Sequence, residues 1–416
     1  MKNKLAHLFL LATIGLILSA CQSMVSPLGG NFNDNIEEAK KELSPETKRF
    51  IEKAFSEFEP DDCIVDFHLH AIGMGVHKDD TWVNPTLSSI WDPHTFIKYN
   101  VFKSAGGIKD HETADDDYIE RLVRLQRSEP RIGRLLLFAF DYYHNDEGKR
   151  VPESSTFYVS NDYVLEIAKR FPDVFVPVGS IHPYRKDALS SLERLAKRGV
   201  RFIKWLPNSQ NIDPSSARAK AFFEVMKKYE MTLISHTGHE KAVHGEEHQA
   251  LGNPLLLKTA LNLQVKVIMA HLASLGTCSD LENGGKTESC FDLFWRIIED
   301  EKYRGLAFGE MSGTTIHTRI GHPYNKVLEH PELKYRFVNG SDYPLPAINM
   351  LYRTKQYLEM GYITEKEREA LNEIYHYNPL LFDFMSKRVL KHPQLKTTLS
   401  KEIFTSQSLL ECKNES

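Results

Sequence analysis

Apolar residues along the body of this chain gather into short runs, each ending in polar residues and each followed by a stretch with helical spacing. The runs span 63–67, 135–140, 174–178, 200–203, 231–234, 265–269, 306–308 and 337–338. Between them lie amphipathic segments such as 162–170, 188–198 and 217–229. Strands that alternate with helices require a parallel sheet. Eight such units predict an α/β fold of the (β/α)₈ TIM-barrel type rather than an open doubly wound sheet, and no Gly-rich phosphate turn follows the first run. The segment 71–134 is much longer than one crossover helix. Insertions after a barrel strand hang over the active-site face, so this long insertion after strand one is expected to wall the pocket.

The start of the chain follows a different pattern. Lys2 and Lys4 lead into an apolar run over 8–18, a secretory signal peptide too short to span a bilayer comfortably. The run ends at Leu18-Ser19-Ala20-Cys21, which resembles the lipobox of bacterial lipoproteins. That resemblance implies a signal peptide over 1–20, acylation (palmitate) at Cys21, and an envelope location lipid-anchored to a membrane. Gln22 in place of Asp points to the outer membrane. The competing reading is a buried N-terminal helix with an incidental cysteine.

Residues 21–43 are polar and Gly/Asn-rich and read as a flexible tether. At Ser44-Pro45-Glu46 a helix starts, with Ser44 as N-cap and Pro45 in the first turn, and Phe50, Ile51, Ala54, Phe55 and Phe58 follow on one face. No repeat or change of composition interrupts the rest. One domain is expected over 44–390, followed by a C-terminal tail over 391–416.

Composition removes some partners. The formal net charge of -4 with mixed signs gives no basic field, which excludes nucleic acid as a partner and leaves a small-molecule substrate. Nothing in the sequence sets an oligomeric state. Beyond Cys21 there are Cys63, Cys278, Cys290 and Cys412, which an exported compartment would allow to pair, though spacing does not choose the pairing. Cys278 and Cys290 flank a polar segment suited to a local disulfide. Cys63 reads equally well as a small buried apolar residue.

Candidate chemistry lies at the ends of the apolar runs. His68 and His70 stand two apart, so in an extended strand both imidazoles point to one side and can reach one ion. Chance alone yields about 0.8 His-x-His pairs in a chain with 18 His in 416 residues, so the pair needs support. His236 closes the fifth run, His271 the sixth, and Asp342 follows the eighth. In a (β/α)₈ barrel the carboxyl ends of the strands converge on one site, which brings these distant positions together.

This ordered set resembles the amidohydrolase superfamily, in particular its amidohydrolase-related branch of hydrolases, lactonases and decarboxylases. The resemblance extends from about Asp62 to about Phe384. It includes the Gly340-Ser341-Asp342-Tyr343-Pro344 turn and the closing Tyr377-Asn378-Pro379-Leu380-Leu381-Phe382 helix. It implies a divalent metal, zinc by default, on His68, His70, His236 and Asp342.

Lys204 ends the fourth run, where two-metal relatives carry a carboxylated lysine. In that case His68, His70 and Asp342 hold one ion and His236 and His271 a second; otherwise one ion binds, which is the reading we favour, and His271 orients water or substrate. The implied activity is metal-assisted hydrolysis of an amide, ester or lactone carbonyl. Asp342 and His271 are the catalytic residues, and Lys204 and Glu310 the candidates for substrate contact, with Glu310 reading equally well as a structural carboxylate of the rim. Two other functions fit the same motifs: decarboxylation or hydration on this barrel, and a non-catalytic metal- or solute-binding lipoprotein.

Overall fold

The computed structural model describes residues 35–405 and 409–410. Cys21, with the signal peptide and lipobox expected around it, and Cys412 lie outside the described residues. Eight strands form one sheet in sequence order: β1 Val65–His70, β2 Arg134–Phe138, β3 Phe175–Gly179, β4 Phe202–Trp205, β5 Thr232–His236, β6 Lys266–Ala270, β7 Ala307–Glu310 and β8 Phe337–Val338. Neighbours pair in parallel throughout. The chain leaving β8 returns to β1, because the Phe67 amide donates to the Asn339 carbonyl at 2.9 Å and Leu69 bridges Tyr343 in parallel. The fold is the expected (β/α)₈ barrel.

Burial on both faces explains why the strands read as nearly continuous apolar runs. In β2, Leu136 and Phe138 enter a cluster inside the barrel with Phe202, Ile234, Ile268 and Phe308, while Leu135 and Leu137 join the larger core between sheet and helices. Strand β1 breaks this alternation. Val65 and Phe67 face inward, yet Leu69 belongs to the outer core, and the register with β2 shifts between Asp66 and Leu69. A bulge of this kind re-aims the residues beyond it. Here it turns His68 and His70 toward the barrel mouth.

Among the described residues the α-helices of seven or more residues are α1 Ile36–Glu42, α2 Pro45–Phe55, α3 Pro93–Ala105, α4 Ala114–Ser128, α5 Asn161–Arg170, α6 Ala188–Lys197, α7 Ala217–Lys228, α8 Cys290–Glu299, α9 His322–Glu329, α10 Glu365–Tyr377 and α11 Pro379–Val389. Ser44 caps α2 by accepting from the Thr47 amide, with Pro45 in the first turn as expected. The described part of the segment read as a tether, from Asn35 onward, is folded. Asn35 caps α1, and Ile36 and Leu43 are buried in the core, so a seven-residue helix too short to show a period occupies the second half of that segment.

The described part of the expected C-terminal tail packs against the barrel. Leu399, Ile403 and Phe404 are buried, and the Asn339 amide, just past β8, donates to the Ile403 carbonyl at 2.8 Å. Cys278 and Cys290 form a disulfide across 12 residues. Cys63 is also disulfide-bonded, with its partner outside the described residues, so it is not merely a small buried side chain.

The long insertion has structure of its own. Thr81–Val83 pairs antiparallel with Phe157–Val159, and α3 and α4 follow. Asp115 at the start of α4 accepts from the Met74 and Val76 amides and from the Thr81 hydroxyl, which ties the insertion together from within.

Candidate active site

His68 and His70 reach the mouth of the barrel from β1, His236 from the end of β5, His271 from the turn after β6 and Asp342 from the loop after β8. His68 Nε2 and His70 Nε2 lie 3.2 Å apart, and each lies 3.4 Å from Asp342 Oδ1. His271 Nε2 is 3.9 Å from Asp342 Oδ2. The rings of His236 and His271 stand 5.0 Å apart. His236 closes the ring of histidines without joining the tight cluster of His68, His70 and Asp342. Its Nε2 is buried with no hydrogen-bond partner among the described residues.

The far side of the imidazole is held in His68, His236 and His271, which leaves the near nitrogen facing inward, whereas His70 Nδ1 has no hydrogen-bond partner among the described residues. His68 Nδ1 meets Glu310 Oε2 at 2.9 Å, His236 Nδ1 faces Glu240 Oε2 at 3.4 Å, and His271 Nδ1 lies 2.8 Å from Ser312 Oγ. Such partners fix the tautomer and orientation of a metal-binding histidine. An ion with bonds of about 2.0–2.1 Å in tetrahedral geometry sets its ligand atoms about 3.3–3.4 Å apart. The separations among His68, His70 and Asp342 match that edge length. The residues present therefore fit a divalent cation.

Backbone geometry is specialised at the same places. His271, Leu272 and Ala273 have φ of 60°, 55° and 49°, and Asp342 has 59°, all left-handed and non-glycine. Conformations of this kind cost on the order of 1–3 kcal/mol each and persist where surrounding contacts over-determine them. Those contacts are visible. Asp66 accepts from the His68 amide at 2.9 Å and the Ser341 amide at 2.8 Å, joining the β1 ligands to the loop that carries Asp342. Lys387 on α11, fully buried, donates to the Gly340 carbonyl, to Asn339 Oδ1 at 3.2 Å and to Asp383 Oδ2 at 2.5 Å. A Cβ on Gly340 would lie 2.3 Å from Glu310 Oε1 and 2.7 Å from His68 Cβ, so only glycine lets this loop pass so close.

Burial keeps His68, His236 and His271 neutral. It holds His68 and His271 well below the ordinary imidazole value and lowers His236 to about 4 even though Glu240 opposes the shift. Neutral imidazole is the form that binds a metal. Burial raises Glu310 to about 7, against the lowering effect of the Ser312 bond. Lys204 is also buried, and desolvation lowers it to about 8, although Asp342, Glu310 and Glu240 oppose the shift. Its Nζ lies 3.3 Å from His68 Nε2.

These residues open into a cavity of about 470 Å³. Its floor includes His68, His70, Lys204, His236, His271 and Asp342. Its walls come largely from the insertion, with Val83, Leu87, Tyr99, Phe102 and Ile108, and from Phe140 and Phe157, stacked at 4.5 Å. The insertion is thus the pocket wall that its length predicts. It also grips the site, because Tyr118 Oη donates to the His70 carbonyl at 2.9 Å and Arg121 Nε to Tyr343 Oη at 3.1 Å.

Glu310 departs from the expected role. It is fully buried, does not line the cavity, and serves His68 and Ser312 rather than a substrate. His182 serves the frame instead: Nε2 lies 2.7 Å from the Gln210 carbonyl and Nδ1 accepts from the Tyr184 amide, so both nitrogens are engaged. His239 Nε2 lies 2.9 Å from the Thr277 carbonyl, and His317 lines a separate surface hollow. His94, His244 and His248 also line the cavity. Glu240 escaped sequence reasoning, although its place four residues beyond His236 was an available signal. Ser312 and Lys387 gave no signal of that kind.

The amidohydrolase family model matches residues 65–280, from β1 to beyond β6. That span holds His68, His70, Lys204, His236 and His271 and ends before Asp342. No curated protein matches the sequence. Among solved structures, an uncharacterized TIM-barrel protein from Bordetella bronchiseptica is similar at 16% identity and a TM-score of 0.44, over 78% of this chain and 99% of that one. A probable 2-pyrone-4,6-dicarboxylic acid hydrolase from Acinetobacter baumannii is similar at 12% and 0.43, over 82% and 98%. A 5-carboxyvanillate decarboxylase from Sphingomonas paucimobilis is similar at 12% and 0.42, over 79% and 99%.

Proposed function

This chain belongs to the amidohydrolase family, and from that premise we propose that it is a metal-dependent hydrolase acting on an amide, ester or lactone carbonyl at the barrel mouth. The observation that carries the reading is the convergence of two imidazole nitrogens and a carboxylate oxygen at 3.2–3.4 Å, beside the buried His236 and His271. His68, His70 and Asp342 would hold the cation with His236, whose unpartnered Nε2 supports that role. Three imidazoles and a carboxylate favour zinc.

When bound, a divalent ion lowers the pKa of its water toward neutrality and polarises a carbonyl. Asp342 takes the proton released on attack and returns it to the leaving group. His271, oriented through Nδ1 by Ser312, offers Nε2 beside Asp342 to position water or substrate. Lys204, buried beside His68, offers Nζ to the oxygen on which charge develops. We favour one ion, with Lys204 as a free amine. The apolar walls of the cavity suit a substrate with a sizeable non-polar group.

Metal analysis of the purified protein paired with Lys204→Ala tests the site. One equivalent of zinc, retained in the variant, is expected; two equivalents that drop on substitution would replace this reading with a carboxylated-lysine, two-ion site. Product analysis tests the reaction. Carbon dioxide released from an unesterified acid would make the chain a decarboxylase on the same barrel, and a metal-loaded protein inert to every carbonyl class would make it a binding protein. We also propose that the chain is lipid-anchored in the cell envelope through Cys21, on the strength of the lipobox-like Leu18-Ser19-Ala20-Cys21. Mass spectrometry of the mature N-terminus tests this.

A further inference from the structure

Three buried groups brace histidines of the rim, and they differ in where they stand. Glu310 and Ser312, which hold His68 and His271, belong to β7 and the turn after it and do not line the cavity. Glu240, which faces His236, lies on the loop after β5 and does line it. Of the three braced histidines, only His236 has a brace within reach of a substrate.

The Glu240 carboxylate acts through both oxygens. Oε1 accepts from the Ala242 amide and, at 3.1 Å, from the Val243 amide, so the loop folds around it. Gln249 closes the same loop, its Oε1 accepting from the Glu240 amide at 2.8 Å and its Nε2 donating to the Glu240 carbonyl at 2.9 Å. Oε2 faces His236 Nδ1 at 3.4 Å. That is about half an ångström longer than an ordinary N–H···O bond, so a small movement of the loop makes or breaks the hold on the imidazole. Residues 242–248 of this loop line the cavity. The insertion grips the loop in turn, because Lys98, on the cavity face of α3, donates through Nζ to the Lys241 carbonyl at 2.6 Å. Burial lowers the Lys98 ammonium and the Glu240 and Glu246 carboxylates oppose the shift, so both charges stand near it.

We propose that Glu240 is a positioning residue through which the insertion and the substrate-facing loop set the grip of His236 on the metal. Lys98 holds Lys241, the loop holds the Glu240 carboxylate, and the carboxylate keeps the His236 proton on Nδ1, which leaves Nε2 bare for the ion. His236 Nε2 is buried without a hydrogen-bond partner among the described residues, as that division of roles requires. A substrate that moves residues 242–248 changes metal affinity, and by reciprocity the metal changes the affinity for that substrate. The inference rests on the proposed metal site and adds to it a link from the pocket wall.

Calorimetric titration of the metal-free full chain with zinc tests the link in wild type, Lys98→Met, Glu240→Gln and the double variant. Glutamine can still accept from the loop amides but turns an N–H toward His236 Nδ1, and should weaken zinc about 10- to 100-fold. Lys98→Met, out on the insertion, should weaken it roughly 3- to 10-fold. The direction is diagnostic, because loss of a nearby cation would by charge alone tighten zinc. The double variant should match Glu240→Gln, since Lys98 acts through that carboxylate, whereas Lys98→Met joined to Glu310→Gln should show the product of the two single losses. Zinc affinity unchanged in Lys98→Met, or a Lys98→Met, Glu240→Gln protein weakened by the full product of its single losses, would overturn the proposal and leave the metal site standing. A wild type that binds no zinc would overturn both.

Discussion

Two regions meet at the mouth of this barrel and are built on opposite plans. The strand-end rim, carrying His68, His70, His236, His271 and Asp342, is buried apart from the half-buried His70, and most of its side chains are braced by a second buried group such as Glu310, Glu240 or Ser312. The insertion between β1 and β2 covers that rim with apolar side chains and half-buried lysines, and its outer edge leaves Trp91 in solvent. The rim is pre-organised by the sheet and its supporting shell, whereas the insertion is attached through a few contacts such as Tyr118 to the His70 carbonyl and Arg121 to Tyr343. The contrast teaches a division of labour. Groups that must hold a cation within tenths of an ångström sit on strands or on the braced turns that directly follow them, and groups that choose the substrate sit on a segment free to vary in length and sequence.

Substitutions can break or sharpen that contrast. The largest effect is expected at the rim itself, where Asp342→Asn should lower kcat by about three orders of magnitude by removing the proton-transfer group. Steady-state kinetics normalised to bound metal would measure it, and a loss under tenfold would refute the assigned role.

Titration gives the next largest effect. Folded His236 stays neutral down to about pH 4, while an unfolded histidine protonates near its ordinary 6.5. Between those values the unfolded chain binds a proton that the folded one refuses, so stability falls as pH drops from 6.5 to 4. Metal-free wild type should lose about 3 kcal/mol more over that window than His236→Asn, as read by urea denaturation at each pH.

Behind the rim, Glu310→Gln keeps the shape but weakens the hold on His68 Nδ1, and should cost about 10- to 100-fold in metal affinity by calorimetric titration. An unchanged affinity would mean that Glu310 only fills space. The smallest effect belongs to the insertion. Lys103→Ala should raise KM roughly 3- to 10-fold for an anionic substrate and leave kcat alone, the signature of binding lost equally in ground and transition states. A fall in kcat would place this wall within the chemistry.

Much of the frame was legible because burial on both faces of a barrel strand leaves a mark that few other settings produce. The runs at 135–140 and 265–269 lie within two residues of β2 and β6. Helix α2 was legible from one serine and one proline. Helix α1 was not, since seven residues with one deeply buried side chain carry no period. The terminal segment around Phe404 escaped for the complementary reason: its burial is decided by contact with the bottom of the barrel, and isolated apolar residues in a polar stretch do not announce it.

The candidate ligands were legible by type and by order along the chain, and four histidines and one aspartate do face one another across the barrel mouth. Which glutamate braces a ligand and which meets a substrate was not legible. Glu310 and Glu240 both stand near strand ends, and only the packing shows that Glu310 lies wholly behind His68 while Glu240 holds Nδ1 of His236.

By itself the sequence determined the alternation of strands and helices, the closure of eight units into a barrel and the residue types gathered at its mouth, because each follows from local periodicity and from a topology with few alternatives. The tertiary structure alone decided the direction of β1. An unbroken pleat that buried Phe67 inside would have sent His68 and His70 out into the helical layer, and the shift between Asp66 and Leu69, held by Asp66 bonding the His68 and Ser341 amides, turns them inward. No pattern within the strand encodes that turn, since it depends on a loop some 270 residues further along the chain coming back to meet it.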